Sequence, residues 1–119
     1  MTPPADNTEP TSQQGYITLC PADELPSGQV KLFAAGSHQI ALARIGEDFF
    51  AIDDVCSHGH FSLSEGELDE FDCTLECPKH GSLFNLRTGE PETLPATEPV
   101  AVYPARLHGS EVQVELPRP

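Results

Sequence analysis

The sequence predicts an all-β fold: a β sandwich or small barrel of short antiparallel strands, with a lobe of different composition set into it. Three observations predict this. Short β-rich runs that alternate apolar and polar residues are separated by turns containing Gly or Pro. Twelve prolines in 119 residues is about twice the average usage, which suits a loop-rich β chain, since proline is confined to strand edges, starts and turns. No segment carries the long 3.6-period apolar stripe of a packed helix. The length suits one compact domain that buries roughly two thirds of the surface its unfolded chain exposes.

Residues 1–14 are Pro, Thr, Asn and Gln without apolar periodicity and are expected to form a flexible N-terminal tail. A single domain is expected over residues 15–119. Tyr16 to Cys20 is the first strand; Pro26-Ser27-Gly28 breaks the chain after a segment, Ala22 to Leu25, with room for one helical turn. Val30 to Ala34 and Gln39 to Ile45 are strands joined by a turn at Gly36-Ser37-His38. Gly46-Glu47-Asp48 leads into Phe49 to Ile52 as a hairpin. The lobe, about 53–95, is dense in Gly, Pro, Cys and His, with short strand candidates at Cys73 to Glu76 and Ser82 to Phe84. The frame resumes at Val100 to Leu107, and Gly109-Ser110 turns into Val112 to Leu116. There Val112, Val114 and Leu116 should share one face and Gln113 and Glu115 the other.

Charge narrows the function classes. Nineteen acids against six Lys and Arg leave −13, which opposes binding to nucleic acid or to an anionic membrane surface. The acidity fits docking to partners with basic patches, and equally a role in keeping the protein in solution. No apolar stretch approaches 18 residues, and the start has neither a basic segment nor an apolar core of a leader, so a cytoplasmic location is expected. Reduced thiols suit that compartment better than two disulfides among four cysteines.

The chemistry lies in two brackets: Cys56-Ser57-His58 and Cys77-Pro78-Lys79-His80, each followed by a glycine, Gly59 and Gly81. Thiolate is a soft anionic ligand and imidazole a borderline neutral one. Short spacing lets one loop supply one of each. Two such loops fit a di-iron unit of mixed ligation, with two thiolates on one iron and two imidazoles on the other. Four thiolates around an oxidised 2Fe–2S core of charge +2 would leave about −2; two thiolates and two imidazoles leave about zero, which eases addition of an electron. The same donors could hold a structural zinc, although zinc fingers usually pair Cys with Cys and His with His.

These boxes resemble those of the Rieske iron–sulfur proteins. The wider text from Cys56 to Leu68 and from Cys77 to Gly89 is similar to the ferredoxins of bacterial aromatic-ring-hydroxylating dioxygenase systems. Leu94-Pro95-Ala96 and Pro99-Val100 resemble the proline loop that covers the cluster there. The resemblance implies a Rieske-like β fold with a cluster-binding lobe and one 2Fe–2S cluster. Its ligands would be Cys56 and Cys77 on the inner iron and His58 and His80 on the outer. Gly59 and Gly81 would turn the backbone and bring N–H groups towards the sulfides. Eighteen residues separate His58 from Cys77, at or beyond the long end of the pattern, and the excess is placed in Asp69 to Asp72, away from the iron.

High-potential members carry an extra Cys in each box. Phe61 and Lys79 occupy those positions here. Ser82 is kept where a donor to sulfur is expected, while Phe84 stands where a Tyr hydroxyl would be, so the expected potential lies near the low end of the Rieske range, about −150 mV.

The implied function is an electron-transfer ferredoxin with no catalytic residues. It passes one electron at a time from a ferredoxin reductase to a terminal ring-hydroxylating oxygenase, docking transiently through the tip around His58 and His80, with Phe61, Pro78 and Lys79 nearby. A monomer is expected. Alternatives are the small Rieske subunit of an assimilatory nitrite reductase, a piece of an oxygenase α subunit, or a zinc-stabilised interaction module. Cys20 and Cys73 read as small buried hydrophobes on strands. His60 reads as a surface residue near the tip, and His38 and His108 as exposed turn residues. Phe61, Pro78 and Leu83 are candidates for an apolar cover over the sulfides.

Overall fold

The computed structural model describes residues 15–57, 61–79 and 81–116. The expected tail, residues 1–14, lies outside them. Among the described residues ten strands form three antiparallel sheets, with no helix longer than a 3₁₀ turn. The strands are β1 (Tyr16–Pro21), β2 (Gln29–Ala35), β3 (His38–Ile45), β4 (Asp48–Asp53), β5 (Leu68–Asp69), β6 (Thr74–Glu76), β7 (Leu83–Asn85), β8 (Val102–Tyr103), β9 (Ala105–His108) and β10 (Glu111–Glu115). Two sheets, ordered β9-β10-β1 and β2-β3-β4-β8, make the frame, and the third, β5-β6-β7, belongs to the lobe. No helix of the described residues is long and apolar enough to cross a membrane.

Three hairpins organise the frame. Ala35 pairs with His38, Ile45 with Asp48 and His108 with Glu111, so each loop has two residues. In all three the first is a glycine at positive φ (Gly36, 61°; Gly46, 63°; Gly109, 64°) and the second is not, the requirement of a type II′ turn. The 3₁₀ turn at Ala22–Glu24 is where the sequence allowed one. Arg44 holds it by donating from Nη1 to the carbonyls of Ala22 and Leu25, both at 3.1 Å.

The sheet β2-β3-β4-β8 is a wall between two cores. On β3, Ile40 and Leu42 face a core shared with Cys20, Leu25, Tyr103, Val112 and Val114. Ala41 and Ala43, with Ile52 of β4, face the opposite way into the lobe, against Leu63, Leu75, Phe84 and Leu86. The period of two sends alternate side chains to alternate faces, and alanines let the lobe approach the wall closely. The chain leaves the wall after Asp53 and returns at Ala101, whose carbonyl accepts from the Asp53 N–H at 2.8 Å.

Several local expectations change. Cys73 is not on a strand: β6 begins at Thr74, and Cys73 sits in the preceding turn at φ 58°. Its thiol is nevertheless buried, as is that of Cys20. The two lie in different cores and none of the four cysteines forms a disulfide. The run from Val100 to Leu107 is two strands, because Pro104 breaks it and moves the chain from one frame sheet to the other. Gln113 does face away from Val112 and Val114, but it is buried: a register shift next to it brings Thr18 opposite. Its amide donates to Thr18 Oγ1 at 3.1 Å and its oxygen accepts from Arg106 Nε at 3.0 Å. The Arg106 guanidinium stacks 3.8 Å from the Tyr16 ring centroid and covers this pair. His38 is half-buried, its ring edge-on to Tyr103 with Nδ1 3.3 Å from the phenol oxygen. His108 is exposed as expected.

Candidate metal centre

Two loops of the lobe have the same construction. Val55 and Ser62 form an antiparallel bridge around the first; Glu76 and Leu83 pair around the second. Each encloses six residues starting with a cysteine. In each, the cysteine N–H donates to the carbonyl of the fifth residue on: Cys56 to Phe61 at 3.0 Å and Cys77 to Ser82 at 2.8 Å. The sequence boxes therefore correspond to two equivalent turns. Cys56 is 2% and Cys77 0% exposed, and both thiols belong to one buried cluster with Leu63, Leu75 and Phe84. His58, Gly59, His60 and His80 lie outside the described residues.

The first loop is anchored by Asp54, which the sequence reading did not single out. Its carboxylate is buried and accepts from Ser62 Oγ at 2.5 Å and from the Ser64 N–H at 2.8 Å. Its own N–H donates to Gln39 O at 2.8 Å, which fixes the loop base to the wall. A buried carboxylate needs such donors to offset its lost hydration. The signal was an acid beside the first bracket, followed eight and ten residues later by serines.

The second loop turns at Gly81, whose φ of 77° suits glycine, and whose N–H donates to Cys77 O at 2.9 Å. Gly66, inside the Ser-Leu-Ser-Glu-Gly text, has an ordinary negative φ of −87°. A Cβ there would sit 1.6 Å from Glu76 O and 3.2 Å from Pro78 Cδ, so the segment after the first loop packs directly on the backbone leading into the second.

The proline loop is tied to both. Ser57 Oγ donates to Glu98 O at 2.5 Å, and the Ala96 N–H donates to Ser82 Oγ at 3.0 Å. Because Ser82 Oγ accepts there, its one hydrogen is left to donate elsewhere. Phe84 is fully buried in the cluster that holds both thiols and offers no hydroxyl. At the tip Phe61 (40% exposed), Pro78 and Lys79 face solvent, and Leu83 is half-buried. The acidic turn Asp69 to Asp72 joins the Thr74 end of β6, whereas Cys77 follows the Glu76 end, which puts the long spacer at the far end of the strand.

Two buried thiols on matched loops, in an apolar cluster, fit the sulfur half of a 2Fe–2S ligand set. Thiolates are soft, anionic donors suited to such a metal centre.

Comparison with known proteins agrees. The family model for the Rieske [2Fe-2S] domain matches residues 15–104. The 3-phenylpropionate/cinnamic acid dioxygenase ferredoxin subunit of Shigella boydii serotype 4 (strain Sb227) is 45% identical over 101 residues, covering 85% of this chain and 93% of that protein. Among solved structures, the ferredoxin of carbazole 1,9a-dioxygenase from Nocardioides aromaticivorans IC177 superposes with a TM-score of 0.85 at 29% identity, over 87% of this chain and 100% of that one. A Mycobacterium tuberculosis protein assigned as an NADH-dependent nitrite reductase small subunit superposes with a TM-score of 0.78 at 24% identity, over 89% and 98%, a likeness of fold alone. The chain belongs to the Rieske [2Fe-2S] domain family, and its cofactor is that family's iron–sulfur cluster.

Proposed function

We infer that this chain is the electron-carrying ferredoxin of an aromatic-ring-hydroxylating dioxygenase system, not its catalytic component. The observation that carries the reading is the identity to a dioxygenase ferredoxin subunit across 85% of the chain, together with the two matched cysteine loops. Its partners are a ferredoxin reductase, which delivers one electron, and a terminal oxygenase, which takes it. A chain of the complex of reduced oxygenase and oxidized ferredoxin in carbazole 1,9a-dioxygenase is 38% identical, with a TM-score of 0.78. The nitrite reductase alternative has only the shared fold behind it.

In this reading Cys56, His58, Cys77 and His80 hold the cluster, which supplies a one-electron site. Residues 15–119 form one domain with the cluster lobe at about 53–95. The chain's own residues do three things. The buried apolar shell of Leu63, Leu75 and Phe84 keeps water from the thiol side. Asp54, Ser57 and Ser82 hold the three loops in register. The tip around Phe61, Pro78 and Lys79 meets partners over a small, transient interface. Residues 53–98 carry eleven Asp and Glu against Lys79 and Arg87, so a partner with a basic rim is steered to the lobe. Four reduced thiols fit a cytoplasmic setting.

The test is reconstitution. Mixed with the reductase and oxygenase of 3-phenylpropionate/cinnamic acid dioxygenase, the purified protein should be reduced by the reductase and reoxidised by the oxygenase, with rates that fall as salt rises. Substituting Lys79→Glu should change that salt dependence. Failure to pass electrons to any ring-hydroxylating oxygenase, with efficient coupling to a nitrite reductase instead, would reverse the assignment.

A further inference from the structure

Among the described residues, the two cysteine loops and the segments beside them approach each other at a base and at a tip. At their base, Gly66 packs on Glu76 and Pro78. At the tip, the Lys79 ammonium of the second loop lies over the Phe61 ring of the first, 5.8 Å from its centroid, within the roughly 6 Å reach of a cation–π contact. Both residues are exposed. Lys79 is the only Lys or Arg between residues 45 and 86, and acids alone would make the lobe repel itself. Phe61 is also the residue whose carbonyl closes the first loop on Cys56, and Lys79 lies inside the turn closed by Cys77 and Ser82. A pull between the two side chains therefore acts directly on the turns that carry the thiols.

We propose that Lys79 and Phe61 form a non-covalent clasp across the tip that holds the two cysteine loops closed and slows loss of the cluster. They are positioning residues. The proposal rests on the cluster reading above and adds an assignment for these two side chains. It concerns the isolated protein, so it is separate from any part that the same residues play in docking.

The clasp is tested by the rate at which the isolated, oxidised protein loses its visible iron–sulfur absorbance in excess EDTA. The proteins compared are wild type, Lys79→Gln, Phe61→Leu, the double variant and Lys79→Arg. Phe61→Leu keeps an apolar side chain and the Lys79 charge but removes the aromatic face. A contact of this kind at an exposed site corresponds to about a two- to five-fold change in rate. Each single variant should bleach about two to five times faster than wild type, and the double variant no faster than the faster single. Lys79→Arg should stay at the wild-type rate, because guanidinium also binds the ring face. Independent, multiplying effects of the two singles would overturn the clasp. So would no effect of either, or a Lys79→Arg protein that bleaches like Lys79→Gln. A wild-type protein that binds no iron would instead overturn the cluster reading, and the clasp with it.

Discussion

Gly66→Ala isolates one consequence of the close approach between the loops. The φ of −87° and ψ of −167° at Gly66 are accessible to alanine, so backbone conformation is not the obstacle; space is. The new methyl carbon would lie 1.6 Å from Glu76 O and 2.8 Å from Glu76 C. Ordinary contact begins at 3.4 Å, so one backbone must retreat by about 1.8 Å. Glu76 cannot yield alone: its N–H donates to Glu67 O at 2.9 Å, it pairs with Leu83, and Cys77 follows it. Overpacking against fixed backbone costs about 3 kcal/mol, the upper part of the usual range. With a urea dependence of about 2 kcal/mol per molar, the midpoint should fall by about 1.5 M, and iron per chain should fall as Cys77 is displaced. Gly46→Ala is the control, with φ of 63° and nothing within 4 Å of the added carbon; conformational strain alone costs about 1 kcal/mol, or about 0.5 M in urea. Midpoints are compared at one incubation time, because cluster loss makes unfolding irreversible. If Gly66→Ala loses no more stability than Gly46→Ala and keeps its iron, the packing argument fails.

Three further outcomes are expected. Asp54→Ala removes the acceptor of the part-buried Ser64 N–H, while the Ser62 hydroxyl keeps Ser64 Oγ as a partner at 2.9 Å, and the change should cost about 2 kcal/mol. Asp54→Asn, which keeps an acceptor for Ser64, should recover part of this in the same urea assay, and a wild-type midpoint for Asp54→Ala would remove Asp54 as the anchor. Phe84→Tyr places a hydroxyl beside the buried thiols. If it donates to sulfur, a gain of about 1 kcal/mol on the reduced state raises the one-electron potential by about 40 mV above a wild-type value of about −150 mV. Redox titration reads both, and a wild-type midpoint well above zero would contradict the missing-donor argument. Burial pushes the Cys20 and Cys73 thiols above their ordinary value of 9.0. Well below pH 9 both are protonated in the folded and the unfolded chain, and their contribution is constant. Above it the unfolded chain ionises first, so stability should fall as pH rises towards the higher folded values. A Cys20→Ala, Cys73→Ala variant should lose less stability than wild type between pH 8 and pH 10 by urea midpoint; an unchanged alkaline slope would refute this.

Much of this protein was legible in its sequence, for identifiable reasons. Type II′ turns need glycine first, so Gly36, Gly46 and Gly109 announced the hairpins. The two Cys/His brackets, each running on into a glycine, announced two similar loops. What escaped was set by packing across the chain. Alternation placed Gln113 opposite Val112 and Val114, and only the fold shows that face buried there, covered by Arg106 and Tyr16 from other strands. Cys73 had strand propensity, but the turn from Asp69 into β6 takes it through a positive φ. Asp54 is one of nineteen acids, and its place beside the first bracket gains meaning only once the fold buries it against Ser62 and Ser64. His38 drew a surface reading from its turn, and Tyr103, brought over by the return of the chain to the wall, half-buries it.

The most direct test of the account is the metal and sulfide content of freshly isolated protein, read with its electron spin resonance after dithionite reduction. Two irons and two acid-labile sulfides per chain are predicted, with a Rieske-type signal that disappears in Cys56→Ala and in Cys77→Ala. One zinc per chain, without sulfide and without a spin signal, would contradict it.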